Sequence, residues 1–263
     1  MDLGLKNKVA IVAAASQGLG RAAAVALAEE GAQLVICSRR EKEITEAAKE
    51  ISSQTGVQAI GIAADVTKPA DIKKVVRMAK EQFGTVHVLV NNAGGPPTGS
   101  VLDLTDQDWD KGFNLTMMSM VRLTREVLPM MQQQKWGRIV TITSFVAKQP
   151  VNELILSVSL RPGIHGLSKI LSNQFAQYNI TVNSVCPGNI LTKRQEELNR
   201  GRAAQKNVDL EEFLKEAAKL IPTERMGRPE EIGSVVAFLA SEKASYINGV
   251  SLLVDGGLVR GIY

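Results

Sequence analysis

The chain has 263 residues, is 44% hydrophobic, and carries 31 basic against 27 acidic side chains, for a net charge of +4. These charges form no basic stripe of the kind that binds nucleic acid, and no apolar run reaches the ~18 residues that a membrane span requires. With two histidines, two cysteines and no CxxC motif, no metal site is expected. Cys37 and Cys186 each follow an apolar run, so we expect buried free thiols in a cytoplasmic protein without a signal peptide.

Short aliphatic runs alternate with longer amphipathic stretches along the chain. The short runs predict strands because they are nearly continuously apolar: 9–14, 33–37, 57–63, 86–90, 138–143, 180–185 and 250–254. Helices are predicted between them, over 19–30, 41–53, 69–83, 105–134, about 155–177, 209–220 and 229–241. This alternation predicts an α/β fold, a Rossmann-like doubly wound parallel sheet of about seven strands with helices on both faces. Ligands of such sheets bind beyond the carboxyl ends of the strands.

The loop after the first predicted strand contains a glycine pair, Gly18 and Gly20, preceded by Ser16. Glycines at such a turn let the backbone approach a pyrophosphate closely, and a helix that starts near Leu19 would direct its N-terminal amides at the phosphate charge. An ordinary turn before a helix is the alternative. The strand–turn–helix context favours a dinucleotide-binding loop.

The second predicted strand ends in CSRR, so that Ser38 is followed by Arg39 and Arg40. NAD-binding folds often carry an acidic residue here, which bonds the ribose 2′-hydroxyl. An arginine instead grips a 2′-phosphate through paired hydrogen bonds. We therefore expect NADP(H) as the cofactor; the alternative is that these arginines only open a solvated helix.

Seven segments together resemble the short-chain dehydrogenase/reductase family, and within it most of all the 3-oxoacyl-acyl-carrier-protein reductases. They are GLG (18–20), AADV (63–66), LVNNAG (89–94), GRIVTITS (137–144), ITVNSVCPGNILT (180–192), RMGRPEEIGSVVAFLAS (225–241) and INGVSLLVDGG (247–257). Each is weak alone, but their shared order and spacing span nearly the whole chain. The resemblance implies one NAD(P)-binding Rossmann domain over 1–263 with a helical substrate lid at about 193–222. It also implies a homotetramer that acts on a small-molecule or acyl-thioester substrate.

The resemblance assigns roles to residues along the cofactor. Asp65 and Val66 would lie by the adenine, and further residues would line the cofactor after the fourth strand and around the nicotinamide: Asn91, Ala93, Gly94, Pro187, Gly188, Ile190 and Thr192. Ala13 and Ala14 depart from the family's Thr-Gly opening of the glycine loop. Because alanine disfavours a positive φ, the loop is expected to sit differently. His87 replaces a commonly acidic position and is expected to be structural.

The catalytic positions depart further from the family, which places Asn, Ser, Tyr and Lys there. Only the serine matches, as Ser144. The tyrosine position, 13 residues later, is Ser157, and the lysine position is Arg161. Counting back without gaps from the ITVNS segment gives the same register. The asparagine position falls on Thr116, and Asn114 would need a compensated insertion to serve.

Ser144, Ser157 and Arg161 are therefore the candidate catalytic residues. An aliphatic hydroxyl is a very weak acid, and an arginine stays charged at working pH. Arg161 could grip the cofactor's ribose or stabilise a developing alkoxide, but it cannot readily release a proton. A water relayed by the two serines would have to supply one, or another acid. His165 and Glu153 are near in sequence, although a core or interface histidine and a surface acid or cap are the simpler interpretations.

Pro162 and Gly163 follow directly. A proline inside a helix removes an amide bond and clashes with the preceding turn, so the helix is expected either to kink at Arg161 or to begin there. The polar, helical lid beyond the sixth strand carries basic residues that could meet an acidic carrier or a phosphorylated substrate, or simply form a solvated face: Lys193, Arg194, Arg200, Arg202 and Lys206.

Three functions are compatible with these residues. The first is an NADP(H)-dependent oxidoreductase that reduces a ketone or 3-oxoacyl group to an alcohol with an atypical Ser/Arg site, as in fatty acid metabolism. The second is a sensor or scaffold protein that binds NADP(H) without reductase activity, which the missing Tyr and Lys suggest. The third is a lyase or isomerase reaction that uses bound nicotinamide without net change in NADPH.

Overall fold

The computed structural model describes residues 2–262. In this part of the chain, seven parallel strands form a sheet in the order β3-β2-β1-β4-β5-β6-β7. Their bounds are β1 Val9–Ala13, β2 Gln33–Ser38, β3 Ala59–Ala63, β4 Val88–Asn91, β5 Gly137–Ile142, β6 Ile180–Pro187 and β7 Ser251–Val254. The order reverses direction at β1 and β4, which is the switch point where ligands of such sheets bind.

Helices cover both faces of the sheet. They are α1 Gly18–Glu29, α2 Glu41–Thr55, α3 Pro69–Phe83, α4 Asp106–Phe113, α5 Ser119–Gln133, α6 Ile155–Phe175, α7 Lys193–Gln205, α8 Leu210–Lys219 and α9 Pro229–Leu239. Successive residues of β2 point to opposite faces: Leu34 and Ile36 pack in one core with α1, α2 and α9. Val35 and Cys37 pack in a second core with α3 and α5. Burial on both faces explains why the strands are almost continuously apolar.

The predicted fold class is confirmed. Each predicted strand is present, and its ends differ from the predicted ones by at most two residues. Most of the predicted helices occur between them in the same order, which gives the sheet its parallel crossovers. Within residues 2–262, no helix combines the length and the apolar character that crossing a membrane would require.

The predicted helix over 105–134 is wrong in one respect, because it is interrupted. A π-helical turn, Asn114–Met118, joins α4 to α5. Within it, the Thr116 hydroxyl donates to the Gly112 carbonyl over 2.7 Å, a side-chain bond that competes with the backbone ladder. The hydrophobic pattern continues on both sides, so periodicity alone does not show the turn. Such turns occur frequently at functional sites.

α6 starts at Ile155 and contains Pro162 in its interior. The expectation that the helix begins at Arg161 is therefore wrong, and the alternative of a kink there stays a prediction. Pro162 has no amide hydrogen for the carbonyl four residues earlier, and it lies on the exposed side of the helix, where water can take that bond. Gly163 allows a close approach to the π-helical turn, since a β-carbon there would lie 2.9 Å from Met117 Cε.

The glycine loop holds an alanine in a conformation that alanine disfavours. Ala14, directly after β1, has φ of 49°, which lies in the left-handed region where a β-carbon crowds the backbone. Its carbonyl accepts a hydrogen bond from Asn92 Nδ2 at 3.3 Å, and a β-carbon at Gly20 would strike the same carbonyl. The surrounding contacts therefore hold the loop in this shape against the preference of Ala14.

Replacing Ala14 with glycine is expected to stabilise the protein. Relief of the left-handed strain exceeds the extra entropy of glycine in the unfolded chain, for a net gain of ~0.5–1 kcal/mol, or a rise in Tm of about 1–4 °C at this chain length. Thermal unfolding measures the shift. Ala13→Gly, one residue earlier in β1, is the matched control and should lower Tm. A Tm that is unchanged or lower for Ala14→Gly contradicts the strain assigned to Ala14.

Candidate active site

A cleft of about 780 Å³ opens at the carboxyl ends of the strands. It collects residues from the loops after β1, β2, β3 and β4 and from the start of α7, as the topology of the sheet requires. Most of the predicted cofactor residues line it: Ser16, Gly18, Leu19, Ser38, Arg39, Arg40, Asp65, Val66, Ala93, Gly94 and Thr192. Six predicted residues are not in this lining. Asn91 and Arg161 line a smaller adjoining cavity, and Gly20, Pro187, Gly188 and Ile190 line neither.

The N-terminus of α1 borders the cleft without a capping side chain. Gln17, at the N-cap position, makes no side-chain cap bond, and the first turn contains no acidic residue. The first amides of the helix therefore lack helical partners, and together with the helix dipole they favour an anion. Gly18 has φ of 61°, so the turn into the helix uses the freedom of glycine where the backbone meets the cleft.

The end of β2 presents two arginines in different situations. Arg40 Nε lies 2.6 Å from the Glu43 carboxylate, three residues along α2. Arg39 is exposed, and its charge acts on Asp65 across the cleft corner. Burial opposes ionisation of Asp65, but two hydrogen bonds from Thr67 and the charge of Arg39 hold its pKa below the ordinary value. Arg39 is thus more available than Arg40 to bind an anionic ligand at the end of β2.

Two asparagines at the end of β4 have different roles. Asn92 Nδ2 donates to the carbonyls of Ala13 and Ala14 at 3.3 Å each, which ties the glycine loop to β4. It was not among the predicted residues, although it neighbours Asn91 in the NNAG segment. Asn91 is buried, its Nδ2 lies 3.4 Å from Thr141 Oγ1, and its Oδ1 has no hydrogen-bond partner among the described residues.

Four predicted residues lie at the end of β6 and in the loop that follows it. Pro187 ends β6, and a β-carbon at Gly188 would lie 2.7 Å from the Cα of Asp255. Ile190 is buried beneath the cleft. Thr192 reaches the cleft, and its hydroxyl caps α7 by accepting an amide hydrogen bond at 3.2 Å. Of these four predicted residues, Thr192 is therefore the one that lines the cleft.

A second cavity of about 20 Å³ adjoins the cleft at Asn92 and Ala93, which line both. Thr116 from the π-helical turn, Asn91 from β4 and Arg161 from α6 form part of its wall. This volume suffices for one water molecule. Asn91 Oδ1 is an acceptor and Arg161 Nε a donor, and both are buried without partners within residues 2–262. One water in the cavity could bridge them.

Asn114 lies outside the lining of this cavity. Its Oδ1 accepts a hydrogen bond from Arg122 Nη1, and its Nδ2 lies 3.5 Å from the Thr67 carbonyl. These contacts turn it toward the loop after β3. Of the two candidates for the family's asparagine position, Thr116 is the one that lines the same cavity as Arg161.

The three candidate catalytic residues come from the end of β5 and from α6. Ser144 begins a short 3-10 turn that packs against α6, and its Oγ accepts the Val146 amide at 3.3 Å. Ser157 and Arg161 lie one turn apart on the same face of α6, and each is 9% exposed. Burial, and after it the charge of Arg194, lowers the pKa of Arg161 to about 10. The guanidinium therefore stays protonated at neutral pH.

His165, one turn beyond Arg161, is engaged at the strand ends. Its Nε2 lies 3.0 Å from Thr143 Oγ1, and that hydroxyl donates to the Val185 carbonyl over 3.1 Å. When the hydroxyl donates to Val185, it accepts from His165, whose neutral tautomer then carries its hydrogen on Nε2. Burial, aided by the charges of Lys148 and Arg161, lowers the pKa of His165 to about 4. At neutral pH the ring holds no proton that it could release as an imidazolium acid.

Two further titratable candidates lie away from the catalytic residues. The Glu153 side chain is 69% exposed and 3.9 Å from Arg202 of α7. His87 lies at the amino ends of the strands, directly before β4. Its Nδ1 accepts the Val9 amide at 3.0 Å, and its ring packs edge-on against Trp136. Burial lowers the pKa of His87 to about 4, as for a structural histidine. Within residues 2–262, no cluster of three or more His, Cys, Asp or Glu side chains could hold a metal ion.

Arg194 is a site residue that the sequence pattern did not distinguish from its neighbours. It lines the cleft, its Nη2 lies 3.4 Å from the Pro96 carbonyl, and its guanidinium lies over Gly95. Arg200, two turns later on α7, instead pairs with Glu196 at 2.6 Å on the surface. Both are basic residues of one polar helix, and only the packing of α7 against the loop after β4 separates them.

Known proteins match nearly the full length of the chain. The family model described as Enoyl-(Acyl carrier protein) reductase matches residues 13–259. Oxidoreductase UcpA of Escherichia coli K12 is 35% identical over 254 residues, which cover 96% of this chain and 95% of UcpA. The 3-oxoacyl-[acyl-carrier-protein] reductase FabG of Staphylococcus epidermidis is 34% identical over 252 residues, which cover 96% of this chain and 99% of FabG.

A solved structure also matches the chain along its full length. L-sorbose reductase from Gluconobacter frateurii, complexed with NADPH and L-sorbose, matches with a TM-score of 0.96 and 32% identity over 100% of both chains. The agreement extends from the glycine loop through the sheet to the lid. The sheet order, the cleft at the strand ends and these full-length matches lead to one conclusion: the chain belongs to the short-chain dehydrogenase/reductase family.

Proposed function

We propose that this protein is an NADP(H)-dependent reductase of a ketone or a 3-oxoacyl group, with an atypical Ser/Arg site. One observation carries the proposal, namely the continuity of the cleft. It presents the N-terminus of α1 and the arginines after β2 at one end, and it meets the cavity walled by Arg161 at Asn92 and Ala93. The similar proteins FabG and L-sorbose reductase are carbonyl reductases by name, which supports the same reaction class.

The residues of the cleft fit NADP(H) by their chemistry. The unpartnered amides of α1 would hold the pyrophosphate. Arg39 would hold the 2′-phosphate, since Arg40 already pairs with Glu43, and a guanidinium matches a phosphate with two parallel hydrogen bonds. When bound, the nicotinamide supplies a hydride to the carbonyl carbon. The chain must then orient the carbonyl, stabilise the charge that develops on its oxygen, and provide a proton.

Ser144 and Arg161 suit the first two tasks. A hydroxyl and a guanidinium beside a developing alkoxide stabilise its charge, and more so away from water. Because the pKa of Arg161 is about 10, the guanidinium stays protonated at working pH and contributes a fixed positive charge. The proton would pass through hydroxyls or water: Ser144, Ser157 and the cavity beside Thr116 offer hydrogen-bonding groups for such a path. In this proposal Ser157 and Arg161 occupy the family's Tyr and Lys positions.

A sensor or scaffold that binds NADP(H) without turnover is the second candidate. Neither Arg161, with a pKa of about 10, nor His165, with a pKa of about 4, titrates near neutrality. An efficient general acid has a pKa near the working pH, and this mismatch favours binding without chemistry. A lyase or isomerase reaction with bound nicotinamide is the third candidate; it would change the substrate without net oxidation of NADPH.

We further propose a cytoplasmic homotetramer, formed by a single domain whose lid comprises α7 and α8. Apolar side chains stay exposed on elements that the family uses for assembly: Phe113 on α4 is 44% exposed, Ile170 on α6 is 53% exposed and Leu252 on β7 is 40% exposed. Exposed apolar groups of this kind commonly mark surfaces that associate.

The reductase proposal predicts NADPH oxidation with some member of a panel of ketones and 3-oxoacyl thioesters, followed by absorbance. Ser157→Ala is expected to lower kcat/KM by about tenfold or more, because it removes a buried hydroxyl from the proton path. Ser159→Ala, on the exposed side of the same helix, is the matched control and should change little. Enoyl thioesters belong in the panel because of the family model that matches.

Turnover of enoyl thioesters alone would shift the assignment from carbonyl to double-bond reduction. NADPH binding by calorimetry, without turnover of any compound, would favour the sensor.

The proposed site also predicts a flat pH profile. Arg161 loses its proton only near pH 10, and His165 gains one only near pH 4. Between these limits no group of the site changes charge, so kcat/KM should vary less than about threefold from about pH 5 to about pH 9. Activity should fall at higher pH as Arg161 loses its positive charge. A bell-shaped profile centred near neutrality would show that another acid donates the proton.

The cofactor proposal predicts that Arg39→Asp weakens NADPH binding by about tenfold or more, with a smaller effect on NADH. Titration by fluorescence measures both dissociation constants. Arg40→Asp is the comparison variant, and its effect on NADPH should be the smaller one because Arg40 is held by Glu43. Equal weakening of NADPH and NADH by Arg39→Asp contradicts the assignment of the 2′-phosphate.

A further inference from the structure

Arg161 is a buried cation without a counter-ion. It is 9% exposed, and its Nε has no hydrogen-bond partner within residues 2–262. The groups whose charges act on it are Arg194, which repels it, and the Cys186 thiol. Burial raises the pKa of Cys186 itself, so the thiol is neutral at pH 7. A buried charge without a partner is costly, and proteins keep one where a ligand supplies the opposite charge.

Arg194 brings a second guanidinium to the same end of the cleft. It crosses the loop after β4, with Nη2 3.4 Å from the Pro96 carbonyl. Gly95 makes room for it, because a β-carbon there would collide with Nη2. Glu197 is the carboxylate whose charge acts on Arg194, but no carboxylate of the described residues pairs with it within 4.0 Å. Arg194 also stays accessible to solvent, so an incoming ligand can reach it.

The two arginines face the same junction. The cavity walled by Arg161 and the cleft walled by Arg194 meet at Asn92 and Ala93. Arg161 comes from α6, one turn after Ser157, and Arg194 comes from the lid. The two guanidinium groups are near enough for the charge of Arg194 to lower the pKa of Arg161. A ligand bound where the cavity and the cleft meet would therefore be near both the buried cation of Arg161 and the accessible cation of Arg194.

We propose that the substrate carries an anionic oxygen group, a carboxylate or a phosphate, near its carbonyl, and that Arg194 binds this group above Arg161. The proposal rests on the reductase function proposed above and specifies its substrate class. The anion supplies the missing counter-charge, and the planar guanidinium of Arg194 can hold it through two parallel hydrogen bonds. Neutral ketones of the same size would leave both cations unpaired and would bind less well.

The cofactor contains the same chemistry in its pyrophosphate, and the same cleft would hold it. Arg194 could therefore serve the cofactor instead of the substrate. These two sources of the anion differ in one measurable respect: a cofactor role changes NADPH affinity in the absence of substrate, whereas a substrate role changes the preference between charged and neutral ketones.

The test uses matched pairs of ketones with the NADPH-loaded protein. The carboxylate pairs are 2-oxobutanoate, 3-oxobutanoate and 4-oxopentanoate with their methyl esters, which vary the distance between carbonyl and charge. The phosphate pair is dihydroxyacetone phosphate with dihydroxyacetone. For at least one pair, kcat/KM of the charged member should exceed that of the neutral member by about tenfold or more. Equal or better use of every neutral member overturns the proposal.

Three variants locate the effect. Arg194→Met should lower kcat/KM for the charged member at least about tenfold more than for its neutral partner. Gly95→Ala keeps the charge but displaces the guanidinium, and it should reduce the same preference. Arg200→Met removes an equal charge from the surface of the same helix, where Arg200 pairs with Glu196, and it should leave the preference unchanged. A loss of NADPH affinity in Arg194→Met with the preference intact assigns Arg194 to the cofactor and overturns the proposal.

A binding measurement separates this proposal from the failure of the reductase function. Calorimetry with the NADP⁺-loaded protein compares 3-hydroxybutanoate with its methyl ester, and glycerol 3-phosphate with glycerol. If no ketone is turned over but a charged ligand binds at least about tenfold tighter, and Arg194→Met removes that difference, the anion site stands without the reductase. Absence of any preference in both turnover and binding overturns it.

Discussion

Parallel strands send all their carboxyl ends to one edge of the sheet, and the functional groups of this protein are together because of that constraint. β1 and β4 are neighbours although α1, β2, α2, β3 and α3 separate them in the chain. The two strands leave the sheet side by side at the switch point, where Asn92 fastens the loop of one to the other. The strain at Ala14 and the close approach of Gly20 follow from that fastening. The open N-terminus of α1 faces the cleft because this loop is held.

In the proposed reductase, Arg161 would limit the chemistry of the site. A lysine at the same place can lose its proton when burial lowers its pKa, whereas a guanidinium keeps its charge under nearly all conditions. The effective cost of burying such an ion is several kcal/mol. Part of it can be met by a water in the small cavity, where Asn91 Oδ1 is an equally unpartnered acceptor. The remainder of that cost would be lowered by a ligand or a transition state that brings negative charge near Arg161.

The sequence was sufficient to predict the fold class and most of the cleft. Seven apolar runs that alternate with helical patterns indicated seven buried strands, and the glycine loop and the two arginines after β2 indicated the ends of the cofactor cleft. What it did not show depends on small geometric differences. The π-helical turn at Asn114–Met118 inserts no change of polarity, so the helical pattern passes through it unbroken. Pro162 is tolerated inside α6 because its ring faces solvent. The Pro-Gly sequence at 162–163 does not by itself reveal this exposure.

Arg194 shows the same limit at the site itself. Five basic residues on the lid are equivalent in sequence, and their roles separate only when α7 packs against the loop after β4. There, the absence of a side chain at Gly95 lets one guanidinium lie over the backbone. Sequence spacing fixes which residues share a helix face, but it does not fix which loop that face meets. Side chains that act between distant segments are therefore the ones that pattern analysis misses.

Two of the departures that the resemblance implies, Ser157 and Arg161, lie on α6, and others lie at Ala14, His87 and Thr116. Ser157 is small and buried one turn before Arg161, and Gly163 lets α6 close on Met117 of the π-helical turn that carries Thr116. From α6, Arg161 and Ile164 line the small cavity, while the glycine loop, the α1 N-terminus and the arginines after β2 line the cleft. In the proposed reductase, a serine and an arginine at the family's tyrosine and lysine positions, beside a cleft suited to a phosphorylated cofactor, would favour a negatively charged ligand over a neutral one.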